Sequence, residues 1–140
     1  MTIVDKIKSS IEAATSVPLY YQSEERLNEI LDSAQFPCAF LYILTNQQLT
    51  TDSRQFRERL QVAVFFVEPT EFDFVSVENE RIIDNCKRRA LKWLQGMNTD
   101  KWLRLVAINN TERVYDVMDA VLTGFAVNVT IEELTGVCNG

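Results

Sequence analysis

Two long apolar runs, at residues 37–44 and 60–67, constrain the fold of this chain more than any other feature. The first run is apolar at nearly every position, which is typical of a strand covered on both faces. The second run alternates at first and becomes apolar on both faces beyond Ala63. The residues between the runs are too few and too polar for a crossover helix, so we predict an antiparallel hairpin.

Two segments beside this hairpin carry candidate interaction residues. The polar segment at residues 46–55 is predicted as a long flexible loop, and hairpin connections of that length are often functional. The segment at residues 69–74 sets Phe72 and Phe74 among acidic residues. These two rings either fold back to cap the sheet or serve as exposed anchors for a partner.

The strongest helical pattern begins with a capping residue at Ser76 and ends at Gly96. Acidic residues stand near its start and basic residues in its later turns, an order that complements the helix dipole. We expect its apolar stripe to cover the sheet, with Val64 and Phe66 buried beneath it. The stripe consists of Val77, Ile82 or Ile83, Cys86, Ala90, Trp93, Leu94 and Met97.

The N-terminal segment, residues 2–15, predicts an amphipathic helix with Thr2 as its N-cap and Asp5 as a capping partner. Its apolar stripe is narrow, and we expect it to cover part of the sheet face that the long helix leaves open. A short edge strand at residues 19–22 and a second helix beginning at Ser23 are predicted after it.

The C-terminal part predicts the remaining strands. Residues 102–108 and 114–117 indicate two short strands joined by a turn at Asn109 and Asn110, because asparagine tolerates a positive φ. Residues 121–133 alternate as a final strand, in which Gly124 marks a bulge or a close backbone approach. The predicted fold is a single α+β domain over residues 1–140. Its mainly antiparallel sheet of about four or five strands is packed by one long helix and an N-terminal helix.

The residues offer almost no catalytic chemistry. The chain contains no histidine, and its three cysteines are far apart, as is usual for reduced thiols in a cytoplasm. Cys38 and Cys86 stand in apolar segments, where a cysteine usually behaves as a small buried hydrophobe. Paired carboxylates occur at residues 24 and 25, 116 and 119, and 132 and 133, and a solvated helix or strand end explains each pair. We therefore predict no enzyme, no cofactor and no metal site.

The charge pattern restricts the class of partner. A net charge of −6 disfavours non-specific binding to nucleic acid or to an anionic membrane. No apolar run approaches the roughly 18 residues of a membrane span. Asp5 and Glu12 interrupt the first apolar positions, so the N-terminal segment does not have the pattern of a secretory leader.

The order and character of the elements resemble those of the tail-terminator, or tail-completion, proteins of long-tailed bacteriophages. The resemblance rests on a proline-led strand at residues 36–41 (FPCAFL) and a charged return at residues 57–62 (RERLQV). It also rests on the single long helix and on a closing strand pair that ends with residues 122–127 (LTGFAV). The likeness covers nearly the whole chain.

This resemblance implies a non-enzymatic assembly protein of a phage or prophage. Its subunits would form a ring, typically a hexamer, that caps the tail tube and joins it to the head. The partners would be other copies, the tail tube protein and head-tail connector proteins. The location would be the virion tail, and the host cytoplasm during assembly. Two alternatives stay open: a head-tail connector component, and a ligand-binding or regulatory module of a bacterial cytoplasm.

The same resemblance implies that the predicted loop at residues 46–55 projects toward the tube or the lumen of the ring. The candidate interaction residues are Gln47, Gln48, Leu49, Asp52, Arg54, Arg57, Arg59, Phe72 and Phe74. Apolar surface left on the second face of the hairpin, together with free strand edges, is expected to be buried against neighbouring copies.

Overall fold

The computed structural model describes residues 2–21, 35–52, 55–69, 77–117 and 122–133. In these residues one five-stranded sheet is packed by two α-helices, which confirms the predicted α+β class. The helices are α1 (Ile3–Thr15) and α2 (Val77–Gly96), and a 3-10 turn, Met97–Thr99, follows α2. The strands are β1 (Leu19–Tyr20), β2 (Cys38–Asp52), β3 (Gln55–Pro69), β4 (Leu103–Val117) and β5 (Leu122–Glu133).

The strand order in the sheet is β1-β2-β3-β5-β4, so β5 is inserted between β3 and β4. Strands β1 and β2 are parallel over a two-residue contact, and the other three pairs are antiparallel. The prediction of a mainly antiparallel sheet is therefore confirmed.

Helix α1 begins with the predicted capping box. The Thr2 hydroxyl oxygen accepts a hydrogen bond from the Asp5 backbone N–H at 3.1 Å, and the Thr2 N–H donates to the Asp5 carboxylate at 2.9 Å. Donation from the Thr2 backbone N–H, and then from its hydroxyl, lowers the pKa of Asp5. At the other end, Ser16 has a left-handed conformation (φ 60°) and its N–H donates to the Glu12 carbonyl.

The main core lies between α2 and the face of the sheet that we call the helix face. Val64 and Phe66 are fully buried there, as predicted, and the Phe66 ring centroid lies 6.3 Å from that of Trp93. Cys86 and Ala90 of α2 are also fully buried in this core. The amphipathic stripe of α2 thus covers the centre of the sheet, β3 and β5. Val77 was predicted in the same stripe, and that prediction is wrong, because Val77 is the first residue of α2 and is 63% exposed.

The N-terminal helix is confirmed, but the sheet face predicted for it is wrong, because α1 packs on the helix face beside α2. Ile7 and Ile11 are fully buried in the same core as Trp93. The Trp93 indole Nε1 donates a 3.0 Å hydrogen bond to the Ser10 hydroxyl, which joins the two helices directly. The narrow stripe of α1 therefore fills the space beside α2.

The opposite side of the sheet, which we call the second face, has its own apolar cluster. Cys38, Phe40 and Val67 are buried there, next to the half-buried rings of Tyr42 and Phe65. The two rings meet edge to face with centroids 5.3 Å apart. Phe40 is fully buried within one chain, whereas Tyr42 and Phe65 are half-buried, so little apolar surface of this cluster is left for neighbouring copies.

The prediction of a long flexible loop at residues 46–55 is also wrong. Strands β2 and β3 continue through this segment and pair as far as Asp52 and Gln55. The prediction failed because polar residues in a strand that is not covered by a helix show no apolar alternation.

The predicted turn at Asn109 and Asn110 lies inside the continuous strand β4. The register of β4 shifts there, between Ile108 and Asn110, and also between Leu105 and Ala107. Each shift marks a bulge or irregularity that bends the strand without reversing it. Two asparagines are therefore a signal for an irregular backbone here, but not for a chain reversal.

Two smaller predictions have mixed outcomes. Helix α2 ends at Gly96 as predicted, but with right-handed dihedral angles (φ −62°, ψ −29°), so the chain continues into the 3-10 turn. No basic residue lies in the last turn of α2, so the dipole explains less of its basic cluster than predicted. The predicted helix from Ser23 and the segment at residues 70–76 lie outside the described residues.

Candidate functional site

The β2–β3 hairpin extends past the end of β5 as a two-stranded arm, which we define as residues 49–52 and 55–58. The last β3 residue that pairs with β5 is Arg59, opposite Glu132. Beyond it, among the described strands, β3 pairs with β2 alone, from Leu49 and Glu58 to Asp52 and Gln55. A two-stranded ribbon is only marginally stable by itself in water, so the arm depends on the rest of the sheet at its base.

The base of the arm is held by a charged row across three strands. The buried Glu132 carboxylate of β5 accepts a hydrogen bond from Arg59 Nε of β3 at 2.8 Å. It also accepts one from the Arg104 guanidinium of β4 at 2.9 Å. Each carboxylate oxygen thus has its own arginine, which compensates the burial of the charge.

A ladder of amide side chains continues this polar region along the second face. Gln61 of β3 donates to the Asn128 side-chain oxygen at 3.1 Å. Asn109 of β4 donates to the same oxygen at 3.3 Å and to the Thr130 hydroxyl at 3.0 Å. The second face is therefore divided into an apolar end, around Phe40, and a polar end at the base of the arm.

The interpretation of the carboxylates at positions 132 and 133 as a solvated strand end is wrong. Glu132 is buried on the second face, and Glu133 is buried on the helix face in an ion pair with Lys6 of α1. Successive strand residues point to opposite faces, which explains why neighbouring acids have different partners. An acid pair that follows an alternating apolar strand could have indicated buried ion pairs.

The structure places some of the predicted interaction residues together and leaves others undescribed. Gln47, Gln48, Leu49 and Asp52 lie in the outer part of β2, and Arg57 pairs with Thr50 in the arm. Arg59 is occupied by Glu132, so its guanidinium is only partly available to a partner. Arg54, Phe72 and Phe74 lie outside the described residues.

Sequence reasoning predicted the two ends of β4 as separate strands, but it missed the continuity of β4 and its position at the edge of the sheet. Residues 106–113 are all exposed, including the apolar Val106 and Ile108, the latter with 51% of its surface accessible. Among the described strands, β4 pairs only with β5, so its outer edge is unpaired along its length. An exposed apolar edge of this kind is a template for another strand. Hydrogen bonds hold both ends of β4. Near its C-terminal end, Arg113 and Tyr115 donate to the Glu80 carboxylate of α2, and at its start the Leu103 N–H donates to the Asp100 carboxylate.

A cleft of about 420 Å³ lies between α1 and the start of β4. Trp102 forms one wall, and the ammonium groups of Lys6 and Lys101 each lie 5.2 Å from the centre of its ring. The Lys6 ammonium is also paired with Glu133. Ala13 and Lys101 are exposed, so the cleft is open to solvent.

The cysteines of the described part are buried and free, as predicted for Cys38 and Cys86. Burial raises the pKa of each thiol to about 12, because the thiolate loses its hydration. Neither is a reactive thiolate at neutral pH. Across the described residues, no group of three or more cysteine or acidic side chains could hold a metal ion.

No helix in the described part of the chain is long and apolar enough to cross a membrane. The sequence matches no protein-family model and no curated protein.

Proposed function

We propose that this chain is a non-enzymatic structural protein of a phage or prophage tail. In this proposal it is a tail terminator that forms a ring, caps the tail tube and joins it to the head. The order of its elements supports the proposal, since it resembles that of the terminator proteins. The five-stranded α+β fold is consistent with that order.

The observation that carries the proposal is the pair of unpaired edges at opposite ends of one sheet. Strand β4 has no outer partner among the described strands, and β2 has none beyond Phe40, where its contact with β1 ends. Two different edges on one subunit permit head-to-tail contacts, and head-to-tail contacts give a ring when the rotation closes. The arm at the end of the β2–β3 hairpin supplies a separate element for contact with the tube.

Electron microscopy of the purified protein over a range of concentrations tests this proposal. Rings of uniform diameter support it, and addition of purified tail tubes should place one ring at a tube end. Particles of monomer size at every concentration, with or without tubes, would rule it out. Rings that bind a head connector but never a tube would favour the neck component instead.

The cleft beside Trp102 favours a second candidate function, a ligand-binding module of a bacterial cytoplasm. Its aromatic wall and the Lys101 ammonium suit a planar anion, whereas the Lys6 ammonium is already paired with Glu133. The open cleft makes this the weaker candidate. A thermal shift by a small-molecule library, in a protein that stays monomeric, would favour it over the terminator.

A further inference from the structure

Two exposed isoleucines lie at the two ends of a single row across the sheet. Ile43 of β2 is opposite Val62 of β3, Val62 is opposite Val129 of β5, and Val129 is opposite Ile108 of β4. The inner two side chains are fully buried, whereas Ile43 and Ile108 are 38% and 51% exposed. All four side chains of the row are therefore apolar, but only the two in the middle are shielded from solvent.

The strand directions permit this row to continue into another molecule. Strands β2 and β5 run in the same direction and β4 runs in the opposite one, because each pair from β2 to β4 is antiparallel. If a second copy lies beside the first in the same orientation, its β2 is antiparallel to the first copy's β4. Antiparallel addition is the usual way in which a strand extends a sheet edge.

We propose that the outer edge of β4 in one copy pairs with the free edge of β2 in the next, with Ile108 against Ile43. This inference rests on the proposed ring and names the surfaces that would form it. The occupant of the edge is a second copy, because the same chain carries a matching apolar position in the same row. An antiparallel contact would bring the two side chains within reach of each other and remove both from water.

The bulges beside this row limit the strength of the contact. The register of β2 shifts just after Ile43, and the register of β4 shifts on both sides of the segment that contains Ile108. Bulged edges cannot form a long regular ladder with another strand, which protects a protein against uncontrolled aggregation. The contact is therefore short, and association depends on concentration.

Charge substitutions in this row test the pairing, with sedimentation velocity as the measurement. The variants Ile108→Glu and Ile43→Lys should each weaken self-association at least about tenfold, because each buries one charge against an apolar partner. The double variant Ile43→Lys, Ile108→Glu should recover most of that loss, since the two charges would then face each other across the contact. Thermal unfolding of each variant shows whether the substitution leaves the fold of the subunit intact.

Leu91 offers a matched control. It is 45% exposed on α2, which packs mainly on the central strands β3 and β5. Leu91→Glu and Leu91→Lys change the net charge by the same amounts as the two row substitutions, and both variants should associate as the wild type does. If the wild type forms rings and both single row variants form them equally well, the proposed pairing is wrong and the terminator proposal survives. Two damaging single variants without recovery in the double variant would also overturn it. A wild type that never associates would remove both proposals.

Discussion

Strands β5 and β4 are neighbours in one sheet, yet their side chains have opposite surroundings. Nine of the twelve β5 residues are buried and the other three are half-buried, whereas all eight residues from 106 to 113 of β4 are exposed. The two strands contain similar valine and isoleucine residues. What distinguishes them is position: β5 has a strand on each side and α2 above it, and β4 has one neighbour. The centre of the sheet therefore determines stability, and the edge is available for association.

The largest expected effect is at the centre, for Phe66→Ala. Phe66 is fully buried against Trp93, so truncation should lower the free energy of unfolding by about 3–5 kcal/mol. Urea denaturation measures this loss. Phe65→Ala is the matched control, because Phe65 is only half-buried on the second face, and its loss should be smaller. A loss below about 1 kcal/mol for Phe66→Ala would contradict the packing described for the centre.

A second central substitution, Gly124→Ala, should lower the free energy of unfolding by about 3 kcal/mol. A Cβ atom at Gly124 would lie 1.9 Å from the Phe66 carbonyl oxygen, so β3 and β5 would have to separate. In Gly96→Ala the added Cβ would meet the Ala14 Cβ at 3.5 Å, an ordinary contact, and that variant should be neutral or slightly more stable. Equal thermal stability of the two variants would show that β5 is not held as closely as described.

The smallest expected effect is at the edge, for Val106→Thr. This residue is 37% exposed and lies at a register shift in β4, so the free energy of unfolding should change by less than about 0.5 kcal/mol. The same change at Val129 of β5 buries a hydroxyl and should cost about 1–3 kcal/mol. If the monomer lost as much stability from the edge substitution as from the central one, the contrast between β4 and β5 would be wrong.

The sequence predicted best where a burial pattern repeats. The capping box of α1, the stripe of α2 apart from Val77, and the burial of Val64 and Phe66 follow from local chemistry and from apolar spacing, and these are confirmed. The antiparallel pairing of the two apolar runs is confirmed for the same reason. In each case the residues that define the element also form its buried contacts.

Elements without a buried face could not be predicted in this way. The arm and the middle of β4 are strands because neighbouring backbone groups pair with them, and a polar sequence carries little information about such pairing. The position of α1 depends on the space that α2 leaves on the helix face, which no local pattern records. The row of Arg59, Glu132 and Arg104 joins three strands and becomes visible only with their register.

The candidate site, too, could be predicted from the sequence only in part. The segment that contains Gln47, Gln48 and Leu49 was predicted as a loop, whereas the structure has it within β2, with Leu49 at the start of the arm. Ile43 and Ile108 were not singled out, because each belongs to an apolar segment that indicates a core strand. Only the order of strands shows that these two positions are at the outer edges.

The insertion of β5 between β3 and β4 has a consequence for the order of events during synthesis. The β2–β3 hairpin and the helices leave the ribosome first, and β4 follows them without its neighbour. Until the β5 segment emerges, the edges of β3 and β4 that face β5 in the finished sheet lack their native partner. The cooperative structure must therefore wait for contacts between distant parts of the chain, which makes folding of this region slow. Nascent copies on one messenger RNA would expose the same edges to each other during that interval.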